Sequence, residues 1–575
     1  MFRKNKRSQQ PLLISNISEL PARSLKLLRG SWAETFRDEV FLRIREERFA
    51  VLYDDCPSRP NVPVNILMGL EILKAGRGWS DEELYEHFLF DLQVRYALGC
   101  DNLGEDDFDL RTLYYFRQAL SRYALEKGIH LVQLTFADIT DQQLQKLEVK
   151  TGMQRMDSTD IASNIADLSR LQLLVTLLQR MYHMLEEADQ KQYQDVFAPF
   201  LKEGAGQYVY HIKGKEATWE HIQKVGNTLY PLLQQLKAGY GKTPLYAIAQ
   251  RFFEENFKLV QEQVQAKSNQ EISPGCLQSL DDLEASYRIK ANQAHKGYVA
   301  NVTETADPTN PVQLVTQVSV APNRTSDQEL LKQDVPAIQA RMELDQLVTD
   351  GGYVGPKVDQ ALREGKVEQI TTALIGEAPD RSEGQWVMAD FAMQLDPEGR
   401  VTSGTCPAGQ AASVRCSDSS KTFRLYFDPA TCLACPFFIA KKCPVQAGKK
   451  CTLVSLQVPK ERAASSQRRR HFEQTKDAAR ALRPAVEATM FQLTHKLRNG
   501  KVLVRGLFRV TYVVLCATLA LNLRRIDRYR KGEQRGKFTR RPHQTGDSLP
   551  VFLLFQAFWR AFCRPCSLLR PFLVC

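Results

Sequence analysis

Long apolar runs are scarce in this chain of 575 residues. The opening stretch MFRKNKRSQQ is basic, and neither the apolar core nor the small-residue cleavage site of a secretory signal follows it. The two most apolar stretches, residues 506–523 and 549–575, are interrupted by arginines, at position 509 in the first and at positions 560, 564 and 570 in the second. Neither offers the uninterrupted span of about 20 apolar residues that a membrane helix needs. We therefore expect a cytoplasmic protein without a membrane partner, whose 13 cysteines are thiols or metal ligands and not disulfides.

Acidic residues are scarce in one part of the chain. Between Lys460 and Pro550, 22 lysines and arginines stand against 7 aspartates and glutamates, whereas the net charge of the whole chain is only +11. A basic block of this kind requires a polyanionic partner or a well-solvated surface. Because nucleic acid is the natural polyanion, the block favours a nucleic-acid-binding protein, with a solvated surface as the alternative.

The first 148 residues are predicted to be mostly helical. Proline signals precede an amphipathic helix that ends at Gly76–Gly78, and Ser80 then offers an N-cap with Glu82 and Glu83 in the following turn. Two helices joined by a short glycine-containing turn are typical of a helix-turn-helix motif, and equally of ordinary packed helices. We expect residues 1–148 to form a helical domain that binds DNA.

The hydrophobic period changes twice after this region. A predicted strand over residues 150–165 is followed by leucines at intervals of three and four, which predict a helical insertion. The runs KGYVANVTETA, QLVTQVSVAP, QLVT (residues 346–349) and EQITTALI then predict strands, with the helices SDQELLKQDVPAIQARM and PKVDQALREG among them. The helix LRPAVEATMFQLTHKL follows much later, with Pro484 suited to its first turn. This order predicts an α/β fold with a central sheet covered by helices, and it matches the element order of the ribonuclease H-like fold.

Three acidic residues lie where the predicted sheet would place a ligand site. Asp157 closes the first predicted strand, Asp350 closes the fourth in the turn TDGGY, and Glu487 lies on the last predicted helix. Because ligand sites of open α/β sheets form where strands end, we expect the two aspartates to meet there, with the glutamate beside them. Asp160 is excluded because, at an odd offset on a continuing strand, its side chain would point to the opposite face from Asp157. Each of the three taken singly is more often a turn or surface residue.

The chemistry of such a trio follows from its oxygen donors. Carboxylates without a neighbouring histidine or cysteine suit a hard divalent cation such as Mg²⁺ or Mn²⁺. Two such ions, about 3.5–4 Å apart, can activate an attacking oxygen and stabilise the leaving oxygen in phosphodiester chemistry.

The stretches MDSTDIASNI, LVTDGGYVGP and RPAVEATMFQLTHKLRNGK resemble the three acidic motifs of bacterial insertion-sequence transposases of the DDE superfamily. The likeness extends over most of residues 60–530. It implies a ribonuclease H-like catalytic core in which Asp157, Asp350 and Glu487 bind two Mg²⁺ or Mn²⁺ ions. It further implies a bacterial, DNA-associated cytoplasmic protein that acts on double-stranded DNA at element ends and target, as a homodimer on paired ends.

The resemblance divides the chain into a catalytic core and the segments that interrupt and follow it. The core is discontinuous and comprises residues 149–167, 286–375 and 471–530. The remaining segments are a helical insertion at 168–285, a Cys-rich insertion at 376–470, and a tail at 531–575 that is first basic and then apolar.

The surroundings of the glutamate depart from the family pattern. Many relatives carry the signature Y-x₂-R-x₃-E-x₆-K, in which Arg483 and Glu487 fit here, whereas Arg480 takes the tyrosine position and Thr494 the lysine position. His495 or Lys496 is expected to supply the displaced phosphate contact. With the basic residues that follow the helix, the predicted DNA contacts are Arg483, Lys496, Arg498, Lys501 and Arg505.

A cluster of cysteines lies between Asp350 and Glu487. Cys432 and Cys435 form a CxxC motif, with Cys406 before it and Cys443 after it. Four thiolates can hold a tetrahedral structural Zn²⁺, which we predict here, while an iron–sulfur cluster and unmetallated thiols stay open.

The leading hypothesis is a DNA transposase that cuts and joins DNA at the ends of an insertion sequence by two-metal-ion hydrolysis and strand transfer. The alternatives are a non-catalytic DNA-binding protein descended from a transposase and a ribonuclease H-like nuclease that only hydrolyses.

Overall fold

The structure is a computed structural model in which part of the chain is not described. It describes residues 1–575 except 7–13, 55–59, 105–106, 203, 291, 375, 397, 416–420, 449–452, 499 and 535–575, and at 478–483, 486 and 534 it describes the backbone alone. The chain divides into two compact units, Met1–Asp527 and Arg528–Cys575. In the second unit the structure describes residues 528–534, which form the end of a helix. There the Tyr529 hydroxyl donates a hydrogen bond to Glu533 at 2.5 Å.

Helices precede the first strand, as predicted. In the described part they are α1 (Ala22–Arg29), α2 (Trp32–Glu39), α3 (Val64–Arg77), α4 (Asp81–Phe90), α5 (Leu92–Ala97), α6 (Arg111–Lys127) and α7 (Leu131–Lys146), with short 3₁₀ turns at Phe41–Arg43 and Glu46–Leu52. The first ten residues of α3 are all buried, because its sequence is apolar nearly all round and not only on one face. This helix therefore lies at the centre of the N-terminal region.

The turn between α3 and α4 has the predicted chemistry. Gly78 ends α3 with φ of +76°, and the Ser80 side chain accepts from the Glu83 N–H while the Glu83 carboxylate accepts from the Ser80 N–H. The exposed face of α4, however, carries Glu82, Glu83 and Glu86. Because these acids repel phosphates, the pair is better read as packed helices than as a motif that inserts α4 into a DNA groove.

A largely helical segment follows the first strand, β1 (Met153–Ala162). Its elements are α8 (Arg170–Met184), α9 (Glu187–Leu201), α10 (Ala205–Tyr210), α11 (Lys215–Tyr240), α12 (Pro244–Asn256), β2 (Phe257–Val260) and β3 (Gln263–Ala266). The β2–β3 hairpin corrects the sequence analysis, which gave this whole segment to helices. Its two-residue turn, Gln261 and Glu262, has φ of +49° and +63° without the glycine or asparagine that usually marks such a turn.

The central sheet is mixed, and the fold is α/β as predicted. The elements that follow are β4 (Ser286–Lys290), β5 (Gln293–Thr305), β6 (Val315–Pro322), α13 (Asp327–Gln339), β7 (Gln346–Thr349), α14 (Pro356–Glu364) and β8 (Glu368–Thr371). The strand order is β6–β5–β1–β7–β8, with β4 paired to the first part of β5. β1 is antiparallel to β5 and parallel to β7, which in turn is parallel to β8.

The Cys-rich segment forms a second sheet with its own apolar core. Its elements are β9 (Ala392–Leu395), β10 (Val401–Thr405), β11 (Ala411–Arg415), β12 (Thr422–Phe427), α15 (Pro429–Ala434), α16 (Pro436–Ile439), β13 (Gln446–Ala447) and β14 (Val454–Pro459). The strands pair in the order β13–β14–β12–β11–β10–β9, antiparallel throughout the described pairs. Leu425, Val454 and Val458 are fully buried between them.

Two long helices complete the described chain, α17 (Lys460–Lys496) and α18 (Leu507–Gln534). The prediction that Pro484 lies in a first turn is wrong, because α17 begins 24 residues earlier and Pro484 lies inside it. A proline inside a helix removes one hydrogen bond and crowds the preceding turn. Packing of α17 against β1, β8 and β9 stabilises the helix in spite of this cost.

Among the described residues one helix, Leu507–Glu533, is long and apolar enough to cross a membrane by length and composition. About three-quarters of its most apolar window is buried inside the protein, at 72%. Leu515, Leu519 and Leu521 are fully buried there, in one cluster with residues of α3 and α7. Its apolar sequence is therefore explained by its place in a protein core.

Candidate active site

Asp157 and Asp350 lie level with each other on neighbouring parallel strands. β1 pairs with β7 so that Arg155 lies opposite Val348, and two further residues along each chain lead to Asp157 and Asp350. Asp350 directly follows β7, as predicted. Asp157 does not close its strand, because β1 continues to Ala162 and pairs with β5 along its whole length. The structure thus brings these two predicted residues together, one within a strand and one just beyond a strand.

The environment of Asp157 disfavours a negative charge. Burial raises the pKa of its carboxyl to about 6, and the nearby carboxylates of Asp350 and Asp327 add to the rise. The backbone N–H of Ser158 donates to Asp157 Oδ1 at 2.8 Å and, with Lys290, offsets part of it. A carboxyl crowded in this way gains from any cation that lies between it and its neighbours.

The turn after β7 holds the second carboxylate. The Gly352 N–H donates to Asp350 Oδ1 at 2.8 Å. A Cβ at Gly352 would lie 2.9 Å from Asp327 Oδ2 and 3.1 Å from Asp350 Oδ1, so no larger residue fits without moving a carboxylate. A glycine is therefore needed at position 352 for space, beside two acidic side chains.

Asp327 is a third acidic residue at this place, and the sequence analysis did not identify it. It is the first residue of α13, is 9% exposed, and accepts from the Ser158 hydroxyl at 2.9 Å. Its stretch SDQE has the pattern of a helix start, and the structure contains that capping box at Ser326 and Glu329. No sequence signal distinguished it from an ordinary first-turn aspartate, since its burial depends on β1.

Tyr353, three residues after Asp350, is a packing residue. It is fully buried, and its hydroxyl donates to Asn301 Oδ1 at 2.6 Å. Asn301 in turn donates to Asp334 Oδ2 at 2.6 Å. The chain after Asp350 is therefore anchored to β5 and α13 through buried hydrogen bonds.

Glu487 is not joined to the two aspartates in a metal site. It lies on α17 with an exposed side chain, and α17 packs against β1. Within the part of the chain that the structure describes, no group of three or more His, Cys, Asp or Glu side chains is placed so that it could hold a metal ion. Two members of the predicted trio are thus brought together, and the third lies on a helix that packs beside them.

A buried ionic network connects α17 to β1. Glu304 on β5 accepts from Arg155 Nε at 2.6 Å, from Arg525 at 2.6 Å and from the Thr489 hydroxyl at 2.8 Å. Arg155 lies two residues before Asp157, and Thr489 lies two residues after Glu487. The network therefore fixes the backbone near both predicted catalytic positions relative to β5.

The predicted DNA contacts fall into different environments. Lys496 donates to the Gly76 carbonyl at 2.6 Å, and burial together with Arg524 and Arg77 lowers its pKa. Arg505 Nε donates to the Asn164 carbonyl at 2.6 Å. The remaining predicted contacts are Arg498 and Lys501, which line one cavity with Lys496, and Arg483, whose side chain lies outside the described residues.

The four predicted zinc ligands lie near one another, just outside the strands of the second sheet. Burial raises the pKa of the Cys432 thiol to about 11, and the thiols of Cys406, Cys443 and Cys435 add to the rise. The Cys432 thiol donates to the Gln410 side-chain oxygen at 3.4 Å, and the Gln410 backbone N–H donates to Cys406 Sγ at 3.4 Å. As placed, the described thiols do not form a group that could hold a metal ion, so the zinc site stays a prediction.

Comparison with known proteins gives one match. The sequence model of a family described as "Transposase DDE domain" matches residues 405–527, about a fifth of the chain. The matched stretch contains the four cysteines, α17 with Glu487 and most of α18, and it leaves out Asp157 and Asp350. No curated protein and no solved structure matches the chain. The match supports a DDE transposase family for this protein, with transposase activity in general and DNA as the substrate.

Proposed function

We propose that this protein is a DNA transposase that cuts DNA at the ends of an insertion sequence and joins it to a target by two-metal-ion chemistry. The observation that carries the proposal is the placement of Asp157 and Asp350 on adjacent parallel strands, where the Asp350 carboxylate is close enough to raise the pKa of Asp157. The family match over the segment with Glu487 supports the same reading. The strand order β6–β5–β1–β7–β8 supports a ribonuclease H-like core.

The two aspartates fit a hard divalent cation, because both offer carboxylate oxygens, and burial disfavours the negative charge of Asp157. In the proposal Asp157, Asp350 and Glu487 hold two Mg²⁺ or Mn²⁺ ions, which would activate the attacking oxygen and stabilise the leaving one. The protein's own contribution is positional. The Ser158 hydroxyl ties β1 to Asp327, and the Gly352 N–H orients the Asp350 carboxylate.

A second candidate is a non-catalytic DNA-binding protein descended from a transposase. It is favoured by the placement of Glu487 outside any group that could hold a metal ion, within the described ranges of the chain. A nuclease that only hydrolyses is the third candidate, and its products distinguish it from a transposase.

Strand cleavage and joining separate these candidates. Duplex DNA from the sequences that flank the gene is incubated with Mg²⁺ and wild type, Asp350→Asn or, as a matched control, Asp345→Asn, whose exposed side chain lies five residues earlier. Cleaved and joined products that only Asp350→Asn abolishes would support the transposase. Cleavage without joining would identify a nuclease, and binding without cleavage in Mg²⁺ or Mn²⁺ would identify a non-catalytic protein.

The proposed partners are double-stranded DNA at element ends and target, bound by a homodimer on paired ends in the bacterial cytoplasm. The family match, which implies DNA as substrate, supports this assignment. Analytical ultracentrifugation with and without the flanking duplexes tests it. A complex of two chains with two duplexes is expected, and a complex of one chain with one duplex at all concentrations would contradict it.

We further propose a structural Zn²⁺ at Cys406, Cys432, Cys435 and Cys443, supported by the mutual effect of their thiols on the Cys432 pKa. Metal analysis of the purified protein by mass spectrometry is expected to find about one zinc per chain, the content of a four-cysteine site. Cys432→Ser is expected to lose it, and Cys276→Ser in the helical insertion to keep it. Iron with acid-labile sulfide would instead identify an iron–sulfur cluster, and metal-free wild type would contradict both.

A further inference from the structure

A cavity of about 670 Å³ lies where the N-terminal helices meet the segment that follows α17. On one side it is lined by residues of α3, α4 and α6, and on the other by the end of α17, by Leu497 and Arg498, by residues 501–504 and by α18. Its volume is within the range of sites that hold small ligands. None of the predicted catalytic residues lines it.

The acids on the cavity wall are largely neutralised by bases beside them. Arg117 donates to Glu71 Oε1 at 2.8 Å and through both terminal nitrogens to Asp81 at 2.6 and 3.0 Å. Lys74 also donates to Asp81, at 2.6 Å. Glu82 is the remaining acid among the lining residues.

The opposite wall supplies positive charge. Lys496, Arg498, Lys501 and Arg509 all line the cavity, from a stretch of 14 residues. Arg524 and Arg77 also lie close enough to Lys496 to lower its pKa. This concentration of cations favours an anionic ligand, and a phosphate group satisfies it.

Aromatic rings line the same cavity. Trp79 stacks on His87 with ring centroids 4.1 Å apart, and Phe508 stacks on His130 at 4.5 Å. These contacts hold both rings in fixed orientations. Rigid aromatic rings beside cations are the combination that binds an unpaired base together with its phosphate.

The cavity also lies at a suitable distance from the candidate active site. Lys501 forms a backbone bridge with Ala162, which is five residues beyond Asp157 on β1. At about 3.3 Å per residue this places the bridge roughly 17 Å from Asp157. That distance corresponds to about five nucleotides along a DNA strand, at about 3.4 Å each.

We propose that this cavity binds one unpaired nucleotide of the DNA strand that is cut at Asp157 and Asp350. The base lies against Trp79 and Phe508, and its phosphate lies near Lys496, Arg498 and Lys501. A cavity of this size takes a single nucleotide and not a double helix, so the nucleotide leaves its base pair. The inference rests on the proposed function, and it assigns to the N-terminal helices a role in holding the substrate.

Binding of a single strand tests the cavity without requiring cleavage. The probe is a fluorescein-labelled deoxyadenylate 12-mer, titrated by anisotropy in the absence of divalent metal. Trp79→Ala and Lys501→Ala are each expected to weaken binding at least about fivefold, the loss expected when one stacking or phosphate contact is removed. Matched controls in the helical insertion, Trp219→Ala and Lys224→Ala, are expected to bind as the wild type does. Wild-type affinity in both cavity variants would overturn the proposal.

Competition identifies the ligand chemistry. Deoxyadenosine monophosphate is expected to displace the 12-mer at a lower concentration than inorganic phosphate does. Equal displacement by the two would overturn the base-binding part of the proposal. Thermal unfolding of each variant confirms that it is folded, and Lys501, whose side chain is exposed, provides a test even where Trp79→Ala is unstable.

The outcomes for the cavity and for the proposed function are separable. The 12-mer titration contains no divalent metal and requires no cleavage, so the cavity proposal stands on binding even where no cleavage occurs. Cleavage and joining that Trp79→Ala and Lys501→Ala leave at wild-type rates would overturn the cavity proposal while the transposase assignment stands.

Discussion

At the scale of single residues, Asp157 has the clearest electrostatic sign of a functional role. Its carboxyl is partly buried in the middle of a strand beside Asp350 and Asp327, and its pKa is raised to about 6. Bringing these carboxylates together costs electrostatic free energy, and the packing of the fold does not require it. Perturbed carboxyls of this kind cluster at catalytic and metal sites.

The pKa of Asp157 gives a pH dependence of stability in the absence of divalent metal. The folded protein binds a proton at Asp157 more tightly than the unfolded chain does, because the pKa rises from 3.8 to about 6. The contribution of this group to the free energy of unfolding therefore falls as the pH rises from about 4 to about 6, by roughly 2 to 3 kcal/mol. Asp157→Asn is expected to unfold at a higher urea concentration than the wild type at pH 8 and at a similar one at pH 4. The same difference at both pH values would contradict the assigned cause.

Gly352→Ala tests the close approach of the carboxylates. The added methyl group would meet Asp327 and Asp350 at about 3 Å, so one carboxylate must move. We expect a loss of about 1–3 kcal/mol in the free energy of unfolding and a clear loss of DNA cleavage. Gly206→Ala in α10, where an added Cβ meets nothing within 4 Å, is the control and keeps both. Unchanged stability and cleavage in Gly352→Ala would show that the turn tolerates a side chain.

Some residues of the candidate site could be predicted from the sequence, and others could not. Asp350 was recognisable because it stands between a strand pattern and two glycines, and Asp157 because it lies in a β-branched and polar run near the first strand. Asp327 was not recognisable from the sequence, because its stretch SDQE is fully explained as the start of a helix. Its contact with Ser158 joins residues that are 169 positions apart in the chain. Tertiary contacts of this range leave no local pattern.

At the scale of elements, the buried network around Glu304 determines how α17 and α18 lie on the sheet. Glu304 is 1% exposed and is contacted by Arg155 of β1, Thr489 of α17 and Arg525 of α18. A buried carboxylate with two arginine partners is stable only while all partners remain. The network therefore connects the strand of Asp157 to the helix of Glu487.

Glu304→Gln is expected to lower the free energy of unfolding by about 3–5 kcal/mol, because it leaves the buried Arg155 and the partly buried Arg525 without a counter-charge. Urea unfolding measures the loss. The control is Glu271→Gln, whose exposed pair with Lys258 is screened by solvent and is expected to leave the urea midpoint unchanged. Similar midpoints for Glu304→Gln and the wild type would show that the network does not stabilise the fold.

Elements differed from their predictions where packing outweighed local preference. The β2–β3 hairpin has left-handed residues at Gln261 and Glu262, which no turn signal marks. The 37-residue α17 continues through Pro484 because the sheet and β9 lie along it. The capped start of α4 at Ser80 was predictable because its hydrogen bonds are local.

At the scale of the whole molecule, the basic C-terminal block gains a structural explanation. Its basic residues Lys496, Arg498, Lys501 and Arg509 line a cavity together with α3, α4 and α6, which lie far away along the chain. The acidic face of α4 disfavours its insertion into a DNA groove, so in the proposal the N-terminal helices contact DNA through this shared surface. The charge imbalance was visible in the sequence, whereas the surface that presents it was not.

The α/β class and the order of most elements along the chain followed from the sequence, because hydrophobic periods of two and of three to four mark strands and helices locally. The second sheet did not follow, since its short strands, such as Ala411–Arg415, alternate only weakly and lie among cysteines and turns. The position of Glu487 relative to the aspartates also could not be predicted, because it depends on the packing of α17 as a whole.

Metal binding tests most directly the central claim, that Asp157 and Asp350 form one cation site. Calorimetric titration with Mn²⁺ is expected to show binding by the wild type that Asp157→Asn and Asp350→Asn each weaken at least about tenfold, as loss of a carboxylate ligand does. Asp167→Asn, at a side chain that is 91% exposed, is expected to bind as the wild type does. Equal Mn²⁺ affinity in all four proteins would contradict the account.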